Sequence, residues 1–171
     1  MLIFISGSSG SGKSLYAEER LLALSRNAQA HDRVYLATSE VYDDEMKARV
    51  MRHRLMRSGK GFRTIERTHD IREIAINHNS CVLLEDLANL TANELFGNNA
   101  SCEKIFADIM NIYSRCLHLV IVSCEVFSDC KNYDALTENY VRELARLHIK
   151  IARVSDEVTE VISGIPVQYN I

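Results

Sequence analysis

The chain has 171 residues, 47% of them hydrophobic and 25% charged, with a formal net charge of −3. That is enough chain for one domain with its own core, with the composition of an ordinary soluble globular protein. The charge balance carries no nucleic-acid footprint and no apolar run approaches bilayer length; with the first residues leading straight into a strand-like apolar run, no signal peptide is expected. A cytoplasmic protein with no membrane span and no nucleic-acid partner is expected.

In chain order, Leu2-Ile3-Phe4-Ile5 is a short apolar run that reads as a buried strand over 2–6. GSSGSGKS follows at 7–14, and then a helical pattern over 13–27. The octapeptide meets every fixed position of the phosphate-binding pattern G-x-x-x-x-G-K-S/T, between a strand and a helix as that motif requires. Gly7, Gly10 and Gly12 let the backbone turn its N–H groups toward phosphate oxygens, and Ser8, Ser9 and Ser11 complete the loop. The helix N-terminus adds positive potential at the same place. Lys13 would reach the β- and γ-phosphates, and the Ser14 hydroxyl would sit on magnesium.

Further strands are expected at 33–38, 81–85 and 118–124, with a last strand or hairpin within 157–170 broken by Gly164-Ile165-Pro166. Helices are expected at 43–57, 69–77, 101–116 and 134–153, and loops at 58–61, around 97–103 and over 127–135. Nearly all-apolar strands alternating with amphipathic helices predict an α/β fold with a mostly parallel sheet covered by helices on both faces. With the phosphate loop after the first strand, this is a P-loop nucleotide-binding fold. The five cysteines are odd in number and form no C-x-x-C pair, which points to reduced thiols rather than a disulfide framework or a zinc site.

Two more constellations carry possible chemistry. Glu85 and Asp86 close an apolar strand, where a carboxylate can hold magnesium or orient a nucleophile; the plain alternative is a solvated strand end. The 43–57 helix begins with Asp43, Asp44 and Glu45 and continues with Arg49, Arg52, His53, Arg54 and Arg57. Arginines around His53 favour its neutral, nucleophilic form and could bind triphosphate. A histidine attacking an α-phosphate would form a phosphoramidate. A basic helix face carrying a surface histidine is the alternative.

Several segments together resemble the bifunctional adenosylcobinamide kinase / adenosylcobinamide-phosphate guanylyltransferase family of cobalamin biosynthesis. They are the P-loop, YLATS at 35–39, DDEMKARVMRHR at 43–54, RTIE at 63–66, LLED at 83–86 with Thr91, Asn93, Leu95 and Phe96 after it, and DEVTEVISGIPV at 156–167. The resemblance implies a RecA-like fold and two reactions at one nucleotide site. A γ-phosphoryl group passes from a nucleoside triphosphate to the cobinamide hydroxyl, and GMP then passes from GTP to that phosphate. It implies GTP, ATP and Mg2+ as cofactors, a corrinoid substrate and a homotrimer. It places the covalently carried GMP on His53 and makes Lys13 and Glu85 catalytic. Thr38, Ser39, Arg49 and Glu66 join the phosphate loop at the nucleotide, and Ser14, Glu85 and Asp86 are the metal-linked set.

Three stretches depart from the family's pattern. E-V-G-x-G-I-V-P becomes Glu125-Val126 followed by Phe127-Ser128-Asp129-Cys130-Lys131. In R-D-x-x-G-R-x-N-Q both arginines remain as Arg142 and Arg146, with Glu143 as the acid, Ala145 for glycine and His148 for asparagine. R-P-x-x-W near 57–62 becomes Arg57-Ser58-Gly59-Lys60-Gly61-Phe62. The alternative functions are a diverged member that binds GTP or ATP and has lost one or both transfers, and a P-loop kinase for another small metabolite.

Overall fold

In the computed structural model the described residues are 1–40, 51, 55, 58–127 and 133–170. The helix expected over 43–57, with Arg49 and His53, lies outside them except for Met51 and Leu55, which are helical and exposed. Residues 128–132 also lie outside.

Seven strands form one sheet: β1 (Leu2–Gly7), β2 (Asp32–Ala37), β3 (Phe62–Glu66), β4 (Ser80–Glu85), β5 (His118–Cys124), β6 (Glu157–Ile162) and β7 (Ile165–Tyr169). Their spatial order is β3-β2-β4-β5-β1-β6-β7, parallel throughout except for the antiparallel β6–β7 hairpin at one edge. The α-helices described over their full length are α1 (Lys13–Asn27), α2 (Leu87–Asn98), α3 (Cys102–Arg115) and α4 (Ala135–Val154).

Strand alternation sends side chains to two cores. Leu2, Phe4, Val34, Leu36, Val82, Leu84, Leu119 and Ile121 point to the face covered by α2, α3 and α4. Ile3, Ile5, Tyr35, Cys81, Leu83, Val120 and Val122 point to the face covered by α1. With both faces buried, the central positions of β1, β4 and β5 are apolar, which is why Leu2–Ile5, Cys81–Leu84 and Leu119–Val122 read as unbroken hydrophobic runs.

The connection from β1 runs through α1 on one face toward β2. The connection from β5 runs through α4 on the other face to β6, on the opposite side of β1. Opposite faces for opposite directions keep both crossovers right-handed. The chain therefore parts at the carboxyl end of β1, where ligands bind in open α/β sheets. The phosphate loop occupies that point.

Several expectations are corrected. The 69–77 helix is only a 3-10 turn, Ile71–Glu73, after which the chain is extended. Its two buried residues, Ile71 and Ile74, are three apart, and a single turn satisfies that spacing. Strand β3 and helix α2 were both absent from the sequence reading. The last segment is a hairpin whose break is Ser163-Gly164, while Pro166 lies within β7. Proline is tolerated there because β7 is the sheet's edge.

Candidate nucleotide-binding site

Residues 7–14 wrap from β1 into α1 as the motif requires. Gly10 and Gly12 have φ of 74° and 91°, and Gly12 sits at the helix cap. Lys13 is only 5% exposed, and its Nζ donates to the Ser8 carbonyl at 3.2 Å, so its charge lies folded into the concavity of the loop. The Gly7 carbonyl accepts from the Glu125 N–H at 3.0 Å, tying the start of the loop to the end of β5.

Glu85, the last residue of β4, meets the loop directly. The Ser14 hydroxyl donates to its Oε1 at 2.5 Å. Its other oxygen, Oε2, is buried with no hydrogen-bond partner among the described residues, as is the Ser11 hydroxyl. Burial pushes the Glu85 carboxyl up to about 7, and the neighbouring Asp86 charge adds to that shift. The Ser14 hydrogen bond and the Lys13 charge oppose it. A buried carboxylate oxygen without a partner, beside a hydroxyl at the start of α1, is a hard-oxygen donor pair of the kind Mg2+ takes up along with phosphate oxygens. These residues fit that ion.

The two candidate acids divide into different tasks. Glu85 faces Ser14, while the Asp86 side chain accepts from the Asn89 N–H at 2.8 Å and caps α2. Asp86 also neighbours the Cys124 thiol, which sits next to Lys13 at the end of β5, where burial raises its pKa.

Thr38 and Ser39 lie beside this acid pair. The fully buried Thr38 hydroxyl donates to the Asp86 carbonyl at 2.7 Å. Asn93 Nδ2 donates to the Thr38 carbonyl at 2.8 Å, and Asn89 Nδ2 to Ser39 Oγ at 2.9 Å. Thr38 thus holds the end of β2 against the β4–α2 junction. Asn89 and Asn93 are positioning residues that the sequence reading did not assign; Asn89 follows Asp86 by the three residues expected of an N-cap partner. Glu66 closes β3, paired in register with Ala37. Arg49 and His53 lie outside the described residues.

The sequence profile of the cobinamide kinase / cobinamide phosphate guanyltransferase family matches residues 3–169. The chain belongs to this family. It is 30% identical to the bifunctional adenosylcobalamin biosynthesis protein CobU of Escherichia coli K12, over 98% of this chain and 99% of that protein. The Salmonella typhimurium protein of the same name is 29% identical with the same coverage. Among solved structures, the flagellar accessory protein FlaH of Methanocaldococcus jannaschii shares the fold, with a TM-score of 0.53 at 12% identity. That alignment covers 99% of this chain and 78% of FlaH. Within the family match lie the phosphate loop, the Ser14–Glu85 pair and the Thr38–Asp86 junction. No helix among the described residues is long and apolar enough to cross a membrane.

Proposed function

We propose that the protein phosphorylates adenosylcobinamide with ATP or GTP and then transfers GMP from GTP to adenosylcobinamide phosphate. The observation that carries this reading is the Lys13–Ser14–Glu85 arrangement in a chain of this family. In the first reaction the substrate hydroxyl attacks the γ-phosphorus and the bond to the nucleoside diphosphate breaks. Lys13 Nζ leaves the Ser8 carbonyl for the phosphate oxygens, where charge develops as that bond opens. In the second, a ring nitrogen of His53 attacks the α-phosphorus of GTP and pyrophosphate leaves. The cobinamide phosphate oxygen then displaces the histidine, taking up GMP. Ser14 and Glu85 would hold Mg2+, which when bound neutralises charge on the triphosphate. Asp86, Thr38 and Ser39 keep the Glu85 corner in place, and Arg49 and Glu66 complete nucleotide binding. The active protein is a cytoplasmic homotrimer of single-domain chains, and sedimentation of the purified protein tests the trimer.

Incubation with α-labelled GTP and magnesium, followed by denaturation, should leave acid-labile, alkali-stable label on the wild type and none on His53→Ala. Lys13→Ala should lower kinase turnover by about 10²–10³-fold. Unaltered turnover in that variant would rule out the role given to the loop. A second reading, a member that binds nucleotide without completing both transfers, is favoured by one observation. Phe127, at a position where the family pattern has glycine, packs its ring against His148 at 5.1 Å. Bound GTP with no covalent label would select that reading.

A further inference from the structure

The β6–β7 hairpin has an outer strand that buries nothing: all five residues of β7 are exposed, as are both turn residues. Its turn has a specific neighbour. Ser163 and Gly164 form a two-residue turn with φ of 49° and 84°, both in the left-handed region. This geometry leaves the Gly164 N–H outside the ladder, and it donates to the Ser11 carbonyl of the phosphate loop at 2.8 Å. The approach is close along the loop. A Cβ on Gly12 would stand 3.5 Å from Gly164 Cα, and one on Gly7 would stand 2.6 Å from the Val161 carbonyl oxygen.

Peptide planarity gives this contact a consequence. In a trans peptide the carbonyl of one residue and the N–H of the next point in opposite directions. Holding the Ser11 carbonyl toward the hairpin therefore turns the Gly12 N–H away from it. The middle of the loop, Ser8–Gly10, is exposed; the loop is tied at Gly7 to the end of β5, at Ser8 to the Ser11 N–H and Lys13 Nζ, and at the Ser11 carbonyl to the hairpin turn.

We infer that the Ser163–Gly164 turn is a latch on the phosphate loop, and that Gly164 is a positioning residue for the nucleoside triphosphate through its hydrogen bond to Ser11. The inference rests on the nucleotide reading of the loop and adds to it an element remote in sequence. It assigns the hairpin a part in nucleotide affinity that its exposed strand does not have in the core.

The test is a graded set at one position. Gly164→Pro removes the N–H and cannot adopt φ of 84°. Gly164→Ala keeps the N–H but strains the turn, and it provides the reading if the proline variant fails to fold. Gly164→Asn keeps both the N–H and the left-handed conformation and should restore wild-type behaviour. Hydrogen exchange in the nucleotide-free protein should be faster over residues 7–14 in the proline and alanine variants. Calorimetric titration with a non-hydrolysable GTP analogue and magnesium should show affinity weakened about five- to tenfold for Gly164→Pro, the scale of one net hydrogen bond. Unchanged exchange over 7–14 overturns the latch. Faster exchange with unchanged affinity overturns its role toward nucleotide. A wild type that fails to bind the analogue, with the exchange difference present, refutes the nucleotide reading and leaves the latch standing.

Discussion

His148 makes stability depend on pH in a calculable way. Its ring lies on α4 between Phe4 at 5.0 Å and Phe127 at 5.1 Å, both edge-on, and shares a 2.8 Å hydrogen bond with the Ser123 hydroxyl. Burial pushes its pKa down from 6.5 to about 4, against the opposing pull of Glu125. The unfolded chain therefore takes up this proton near pH 6.5, and the folded chain only near pH 4. Stability is intact at pH 7 and falls as pH drops through that window. The loss is about 2 kcal/mol between pH 7 and pH 5, approaching about 3 kcal/mol at pH 4. With a urea slope of about 2 kcal/mol per molar, the midpoint at pH 5 should lie about 1 M below that at pH 7. His118, whose pKa burial also lowers, contributes in the same direction, so the decisive comparison is with His148→Gln. That variant should lose much less between the two pH values. Equal losses in both proteins would refute the assignment of the neutral imidazole to this cluster.

Lys104 is a second stability test. Its Nζ bonds Asp70 at 2.8 Å and Glu94 at 2.7 Å and lies 3.1 Å from Asp108, with Glu94 and Asp108 almost fully buried. Lys104→Met should destabilise by about 3–5 kcal/mol in urea unfolding, because it strands buried carboxylates, and Glu94→Gln in the same chain should recover part of that. The three acids are close enough to hold a metal ion, but the Lys104 ammonium already sits against all of them. Ser14→Ala removes the hydroxyl bonded to Glu85; the magnesium concentration for half-maximal activity should rise about tenfold or more, and an unchanged magnesium titration would count against the Ser14–Glu85 metal assignment.

What the sequence made legible follows from how locally each feature is determined. The phosphate loop is eight contiguous residues, and its strand, turn and helix lie where the motif demands them. Strands β1, β4 and β5 were visible because burial on both faces makes their centres uniformly apolar. Strand β3, Phe62–Glu66, is short, lies at an edge and carries two charges, so only its pairing with β2 marks it as a strand. Helix α2, with the sequence LANLTANELFGN, contains three asparagines, a threonine and a glycine, all weak helix formers. It forms because Leu87, Leu90 and Thr91 pack inward and Asp86 caps it. Read together with Glu85 as the end of a strand, for magnesium, a nucleophile or solvent, Asp86 does not show that cap. The false helix at 69–77 came from apolar spacing without a competing signal for the extended stretch after Glu73.

The departures from the family pattern gain meaning only in three dimensions. Phe127 and His148 are twenty-one positions apart, yet their rings touch, and His148 reaches on to Phe4 and Ser123. A larger ring at 127 and an imidazole at 148 thus form one packing unit on the α4 face of the sheet. The nucleotide elements are held from other directions: Glu85 and Thr38 at the β2–β4 corner, and the Ser11 carbonyl by the hairpin turn. If the aromatic unit replaces open space beside the acceptor, Phe127→Gly should lower KM for the corrinoid while leaving GTP affinity within about twofold of wild type, since an exposed contact removed at a distance is worth about 0.5 kcal/mol or less. Steady-state kinetics with each substrate varied in turn measure both. A parallel loss of GTP affinity would mean that the Glu125–Gly7 tie, two residues away, transmits the change into the phosphate loop, and that the nucleotide and acceptor sides of the site are one mechanical unit.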